Sequence, residues 1–306
     1  MKISLVVPSY KRITFLNECL QAIEKQAVYP YEIIVVLRDD DEESRRKIKH
    51  IRNLKMTFVS KPGLIMALNK GLQEATGDII AFTDDDAEPF ADWIEKITNA
   101  FESNEKLGGY GGRDVIIVDG KEVRGKTKKI GIIQWFGRQI DSHHLELDPP
   151  RQIKVDLLKG VNMAFRRSLL DGFKFDETMN NKTTYCNEYL ICFWVRKKGG
   201  ILIYDPELKV FHKTAQLKMG VQRGEDYAVF EYAHNYTYVM LKHLSWLRKI
   251  IFLAYYIVIG ERKLPGPVLL IIGCLAEEKA SFSRFIIAEK GKFAGLMTWW
   301  KTRLHE

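Results

Sequence analysis

Lys61–Pro89 reads KPGLIMALNKGLQEATGDIIAFTDDDAEP, and the order of signals within it decides the fold. Pro62-Gly63 opens a helical stretch in which Leu64, Met66, Ala67 and Leu72 are placed to pack on a sheet, and Gly77 ends it. Asp78–Thr83 (DIIAFT) follows as a strand, and three consecutive carboxylates, Asp84, Asp85 and Asp86, stand at its end. Working upstream, the same alternation continues. Ile3–Val7 (ISLVV) is a β-branched run ending at Pro8, and Ile13, Leu16, Cys19, Leu20 and Ile23 then recur at helical spacing. Glu32–Leu37 (EIIVVL) is a continuous apolar run, the pattern of a parallel strand buried on both faces. Glu42–Ile51 reads as a charged helix and Met56–Val59 as a further strand. Strand, helix, strand, helix predicts an α/β fold: a parallel sheet with helices on its faces.

Downstream of residue 105 the alternation loosens. Gly108, Gly109, Gly111 and Gly112 cluster before a strand expected at Val115–Val118. Residues 120–150 are polar and read as a long excursion of the kind that forms lids or substrate loops. A strand near Val155–Leu158, a helix near Asn187–Lys198 and two strands at Ile201–Tyr204 and Lys209–His212 are expected beyond it. With 306 residues, 46% hydrophobic and 28% charged, the chain is neither disordered, collagenous nor a coiled coil. Its four cysteines (Cys19, Cys186, Cys192, Cys274) form no CxxC pair and read as small apolar residues in a reducing compartment. Met1-Lys2 leads straight into the first strand, so the N-terminus is expected to belong to the fold rather than to a signal peptide.

The net charge of +8 is unevenly placed: from Leu241 to Glu306 eleven Lys and Arg oppose five acids. Such a tail points to anionic partners, nucleic acid or a membrane surface. Ile250–Gly260 (IIFLAYYIVIG) and Leu264–Ala276 (LPGPVLLIIGCLA) carry no charge and are divided by Glu261-Arg262-Lys263. Each is shorter than the ~20 residues of a spanning helix, so interfacial or re-entrant helices are expected, with buried core helices as the alternative.

The acid triplet is the chemical signal. In open parallel sheets ligands bind beyond the carboxyl ends of the strands. Adjacent carboxylates there repel unless a cation neutralises them, and such oxygen ligands suit Mg²⁺ or Mn²⁺. The plainer reading is a solvated turn or helix cap leading into Trp93–Phe101.

Several segments, taken in order, resemble the family 2 glycosyltransferases: SLVVPSYKR, the Lys61–Pro89 stretch, GVNMAFRRSLL, NEYLICFWVRKKGG and ILIYDPELKVFHK, together covering roughly residues 2 to 213. The resemblance implies a GT-A fold, with a Rossmann-like, mostly parallel sheet flanked by helices. It implies a catalytic domain over 1–215, with a nucleotide-binding half over 1–105 and an acceptor-binding half over 106–215. Residues 216–306 then form a helical, basic and amphipathic extension associated with the membrane. The activity implied is inverting transfer of a sugar from a nucleotide-sugar, UDP-sugar first, to a glycan or lipid-linked acceptor at the cytoplasmic face of the membrane, with Mn²⁺ or Mg²⁺ and without nucleic acid.

Carried over by position, Asp84 and Asp86 match the outer acids of the family's Asp-x-Asp motif. Asp86 is the direct metal ligand, while Asp84 and Asp85 lie toward the ribose and the metal's waters. His212 matches a late histidine that reaches the metal or diphosphate. Pro8, Ser9 and Tyr10 match the nucleobase loop, and Arg12, Asp39 and Asn69 complete the donor set. Asn162, Arg166 and Arg167 fall on the acceptor side. Glu188 is the general base, standing in Asn187-Glu188 where the family usually has Glu-Asp. Two further departures bear on base recognition: Leu37-Arg38 precede Asp39-Asp40-Asp41, and Leu68 replaces the usual Arg before Asn69.

Competing readings are a transferase onto polyprenyl phosphate that needs no base, a nucleic-acid binder stacking bases on Tyr232, Tyr236 and Tyr238, and a catalytically dead scaffold. A dinucleotide oxidoreductase lacks its GxGxxG after the first strand.

Overall fold

A computed structural model of the chain describes residues 1–118, 120–213, 226–275 and 282–304. They divide into two compact units. The first takes in Met1–Ile132, Asp141–Asn180 and the described residues from Asn187 on to Lys213; the second takes in Ile133–Ile140, Asn181–Cys186 and the described residues from 226 onward.

The first unit is built on a ten-stranded sheet. Its leading half is β1 (Ile3–Pro8), α1 (Ile13–Glu24), β2 (Glu32–Arg38), α2 (Glu42–Lys47), β3 (Leu54–Val59), α3 (Leu64–Glu74) and β4 (Ile79–Phe82). β1 pairs in parallel with β2 and with β4, and β2 with β3. β1, β4 and all of β2 except Arg38 are buried, as strands covered on both faces require. α1 packs through Leu16, Cys19, Leu20 and Ile23, as its spacing predicts. α3 buries Ile65, Ala67, Leu68 and Gly71, while Leu64, Met66 and Leu72 are only half-buried. The reason is Gly71, where a Cβ would stand 2.3 Å from Cγ1 of Val6. The helix closes onto β1 at that glycine, and the face that contains it becomes the packing face.

The second half of the sheet is β5 (Ala87–Pro89), α4 (Trp93–Ser103), β6 (Leu107–Val118), β7 (Lys121–Glu122), β8 (Ile153–Val155), β9 (Met163–Arg166), α5 (Asn187–Lys197) and β10 (Ile201–His212). The strand order is β8-β10-β6-β9-β4-β1-β2-β3, with β5 added to β10 and β7 to β6. β9 runs antiparallel to β4 and β6, whereas β10 is parallel to β6. The outcome is the expected α/β fold, with three corrections. The strand expected near Val155–Leu158 lies at Ile153–Val155, because its pairing with β10 ends where Val155 meets Leu202. The glycine cluster does not precede its strand but forms it, because neighbours crowd each position: a Cβ on Gly112 would meet the Leu208 carbonyl oxygen at 1.9 Å. The two late strands are one, continuous through Pro206, with the ladder to β6 irregular between Asp205 and Lys209.

Glu32 ties the parallel strands together from inside. Its buried carboxylate accepts from Ser4 Oγ at 2.6 Å, from the backbone N–H and hydroxyl of Thr76 at 2.8 and 2.7 Å, and from Lys55 Nζ at 2.6 Å. Burial alone would raise its pKa; the hydrogen bonds from Lys55, Ser4 and Thr76 outweigh that and hold it at about 2. A carboxyl depressed in the folded state contributes stability above its unfolded value and loses it as pH falls toward the folded one. Glu32→Gln is therefore expected to lower stability at pH 7 by roughly 2–3 kcal/mol. It should also flatten the fall in stability between about pH 4.5 and 2. Urea unfolding of both proteins across that range checks this, and equal pH slopes would refute it.

The second unit is helical: α6 (Asp226–His243), α7 (Trp246–Val258), α8 (Pro267–Leu275) and α9 (Phe282–Arg303), with Gly260–Glu261 and Leu264–Pro265 forming a short antiparallel pair. The two apolar runs thus supply most of α7 and α8, with Gly260 and Leu264–Pro265 in the strand pair between them; Ala276 lies outside the described residues, as do 216–225 of the expected extension. α9 lies close on α6, since a Cβ on Gly291 or Gly295 would come within 2.5 Å of the Phe230 or 2.4 Å of the His234 carbonyl oxygen. Tyr236 and Tyr238 are buried, which removes them as a base-stacking surface. None of the described helices is long and apolar enough to cross a membrane.

Candidate active site

The acid triplet sits where β4 ends. Thr83 fixes the exit, its N–H donating to the Val6 carbonyl and its hydroxyl to that of Val161. The chain then turns into β5, which pairs antiparallel with the end of β10 so that His212 faces Ala87. The Lys213 N–H donates to the Asp86 carbonyl at 2.9 Å and closes the ladder. That register carries a histidine more than a hundred residues away in the sequence to the triplet. His212 Nε2 lies 3.3 Å from Asp86 Oδ1 and Nδ1 lies 3.1 Å from Asp114 Oδ1. One ligand atom each from Asp84, Asp86 and His212 falls within 4.8 Å of the others, the spacing of a metal-ligating set.

Charge here is unbalanced. Arg12 reaches in from the β1–α1 loop, with Nη1 2.8 Å from Asp85 Oδ1 and Nη2 2.5 Å from Asp86 Oδ2, and Ser9 Oγ donates to Asp85 at 2.7 Å. Burial, then the charge of Asp86, pushes Asp84 up to about 6. Burial likewise pushes Asp85 up to about 7 against the pull of Arg12 and Ser9. Burial would raise Asp86 too, but His212 and Arg12 outweigh it and bring Asp86 below the usual carboxylate range. Burial disfavours a charged His212, yet hydrogen bonds to Asp114 and Asp86 hold it up to about 10. Four carboxylates thus share one permanent cation, and the pair Asp84–Asp86 with an imidazole is a donor set that can hold a divalent ion.

The donor-side residues divide. Pro8 ends β1, Ser9 bonds Asp85, and Lys11 holds φ 53° at the turn of this loop, its N–H donating to Asp41 at 2.6 Å. Tyr10 is exposed, stacked under the Arg38 guanidinium at 4.2 Å, and donates to Asp40 at 3.2 Å. Asp39 is exposed after β2, while Asp41 is buried as the cap of α2. Asn69 clamps the backbone of Phe175, giving to its carbonyl at 2.9 Å and taking from its N–H at 2.8 Å.

Glu188, in the first turn of α5, is buried with Lys159 Nζ 3.6 Å from Oε1. The same ammonium lies 3.3 Å from Asp141. Asn162 is fully buried, accepting from Trp93 Nε1 at 2.8 Å and donating to the carbonyls of Arg113 and Leu208. Arg166 and Arg167 are not brought to the triplet. β9 runs against β4, so Arg166 lies beside Ile79 at the far end of that strand. There its guanidinium donates to the carbonyls of Leu107, Phe101 and Asn104. Asp114 and Lys159 escape a reading of the sequence, as does the contact of the Arg38–Asp40 pair with Tyr10. Asp114 had one faint signal, an acid inside a strand, but no local spacing links any of them to the triplet.

The family model described as "Glycosyl transferase family 2" matches residues 4–173. Among curated proteins, the chain is 29% identical over 229 residues to a glucosyl-dolichyl phosphate glucuronosyltransferase of Haloferax volcanii, covering 71% of each chain. It is 26% identical over 202 residues to a GalNAc(5)-diNAcBac-PP-undecaprenol beta-1,3-glucosyltransferase of Campylobacter jejuni, covering 61% of this chain and 60% of that one. Among solved structures, a Pyrobaculum calidifontis mannosyltransferase in complex with GDP-Man and Mn²⁺ superposes with a TM-score of 0.58 at 17% identity, over 99% of this chain and 88% of the other.

Proposed function

The chain belongs to glycosyltransferase family 2, and from that premise we propose that it is a metal-dependent inverting enzyme moving a sugar from a nucleotide-sugar to a hydroxyl of a lipid-linked glycan. The observation that carries this reading is the convergence of Asp84, Asp86 and His212 at the carboxyl ends of β1 and β4. Asp86 and His212, with Asp84 as the third ligand, would hold the ion. A bound Mn²⁺ or Mg²⁺ would supply Lewis-acid stabilisation of charge developing on the departing diphosphate. The imidazole in the set favours Mn²⁺, because Mg²⁺ prefers oxygen alone. Ser9 and Arg12 hold Asp85 toward the ribose side, and the Tyr10–Arg38–Asp40 group offers a stacking face and polar edge for the nucleobase beside Pro8 and Asp39. Asn69 and Asn162 act by fixing the backbone around the donor and acceptor pockets.

Glu188 takes the acceptor proton as the hydroxyl oxygen bonds to the anomeric carbon and the bond to the diphosphate oxygen breaks, which inverts configuration. The names of both curated relatives include a polyprenol carrier, dolichyl in one and undecaprenol in the other, which favours a lipid-linked acceptor and, with it, work at a membrane surface. Nucleotide-sugars screened by thermal shift with and without Mn²⁺ test the donor site. One sugar nucleotide is expected to raise the melting temperature by about 3 °C or more only when metal is present. Equal shifts without metal would refute the metal role.

A further inference from the structure

From the second unit we infer that α7, α8 and α9 form an in-plane docking face for an anionic lipid bilayer. The inference rests on the lipid-linked acceptor proposed above and adds where and how the chain meets the lipid.

Helices on a protein surface normally turn their apolar stripe inward. α8 does the reverse. Val268, Ile271, Ile272 and Leu275 stand at i, i+3, i+4 and i+7 and are all exposed, Ile271 at 60% and Leu275 at 80%, and no residue of the helix is buried. α7 buries Phe252 and Tyr256 but leaves Leu247, Ile250, Ile257 and Val258 exposed. α9 is apolar on opposite sides. Ala288, Gly291, Gly295 and Trp299 are buried, with the two glycines close against α6; Phe293, Met297 and Trp300 lie on the other side, Phe293 exposed at 65%. Side chains this apolar cost free energy in water, at roughly 25 cal/mol per Å² of surface left wet. Three helices sharing the feature make a surface that calls for a partner.

Charge and length select the partner. Arg248, Lys249, Arg262, Lys263, Lys290, Lys301 and Arg303 lie on or between these helices. Lys249 and Arg303 rest over Trp299, and the Arg248 guanidinium donates to the carbonyls of Gln134 and Trp135. Long basic side chains on helices that also expose Trp246 and Trp300, with Arg248 at the backbone of exposed Trp135, fit the boundary between acyl chains and phosphate headgroups. α8 has nine described residues, less than half of a span, and the proposed orientation is along the surface rather than through it.

Flotation with vesicles of phosphatidylcholine, with and without phosphatidylglycerol, tests this on the full chain. The wild type is expected to float with the anionic vesicles, more weakly with neutral ones, and less as salt rises. The double variant Ile271→Asn/Leu275→Asn alters exposed positions only; its circular dichroism should match the wild type while its vesicle affinity falls at least about tenfold. A wild type that stays with neither vesicle, or a variant that floats equally well, overturns the inference. So does a dimer that the same variant abolishes with no vesicle binding, which would make the face a contact between copies. Donor hydrolysis with Mn²⁺ separates the two readings. Lost flotation with hydrolysis intact leaves the catalytic site standing, and flotation without any hydrolysis leaves the docking face standing.

Discussion

Asp86→Ala is expected to abolish sugar transfer, with kcat/KM falling at least about a thousandfold while the protein remains folded. The size follows from what the carboxylate does. Lewis-acid stabilisation of a leaving diphosphate is worth several kcal/mol, and about 4 kcal/mol is a factor of a thousand. Folding should survive because Arg12 keeps its contact with Asp85 at 2.8 Å and His212 keeps Asp114 at 3.1 Å. The loss therefore belongs to the site rather than to the scaffold. Titration of Mn²⁺ by calorimetry is the companion measurement, expected to show weakened metal binding in the variant. Turnover near the wild-type rate would defeat the metal assignment outright.

Glu188→Gln should lose about a hundredfold to ten-thousandfold in kcat with donor affinity unchanged, the effect of removing a general base. Gln keeps the shape and cannot take a proton. Glu188→Asp, which restores the residue type usual in the family, is expected to recover part of the rate. The contact between Lys159 and Glu188 at 3.6 Å matters to the interpretation, because a merely structural ion pair would show its loss in melting temperature. Both variants should therefore be melted as well as assayed. An unchanged kcat in Glu188→Gln would remove the residue as base and favour an acceptor that arrives already ionised, such as a polyprenyl phosphate.

Much of the scaffold was legible because its signals are local. ISLVV, EIIVVL and IIAF are short runs buried on both faces, and a covered parallel sheet accommodates them in that order. The acid triplet was legible for the same reason: three carboxylates following such a strand need no distant partner to be noticed. The glycine cluster at 108–112 misleads, since glycine reads locally as a breaker, and only the crowding by Leu208, Phe165 and Asn162 shows it as the leading half of a strand. The late strand through Pro206 was split for a similar reason, its ladder being irregular just where the proline stands.

Arg166 and Arg167 show the limit most clearly. Their motif placed them toward the acceptor, but strand direction, which no sequence pattern in GVNMAFRR encodes, sets Arg166 beside the start of β4, at the end remote from Asp84. The second unit repeats the lesson in reverse. Its apolar runs announced helices, yet packing set their facing: Phe252 and Tyr256 of α7 turn in against Tyr236 of α6, whereas no residue of α8 is buried.

Taken alone, the order of residues determined the α/β scaffold, the acidic turn at its rim and the basic, apolar tail, because each is written in spacings of a few residues. Tertiary structure alone decided that Asp114 braces His212 beside Asp86, that Lys159 meets Glu188 and that α8 shows its apolar stripe to the outside. These are matters of strand register and helix facing, fixed by packing between segments far apart in the chain, where periodicity carries no information.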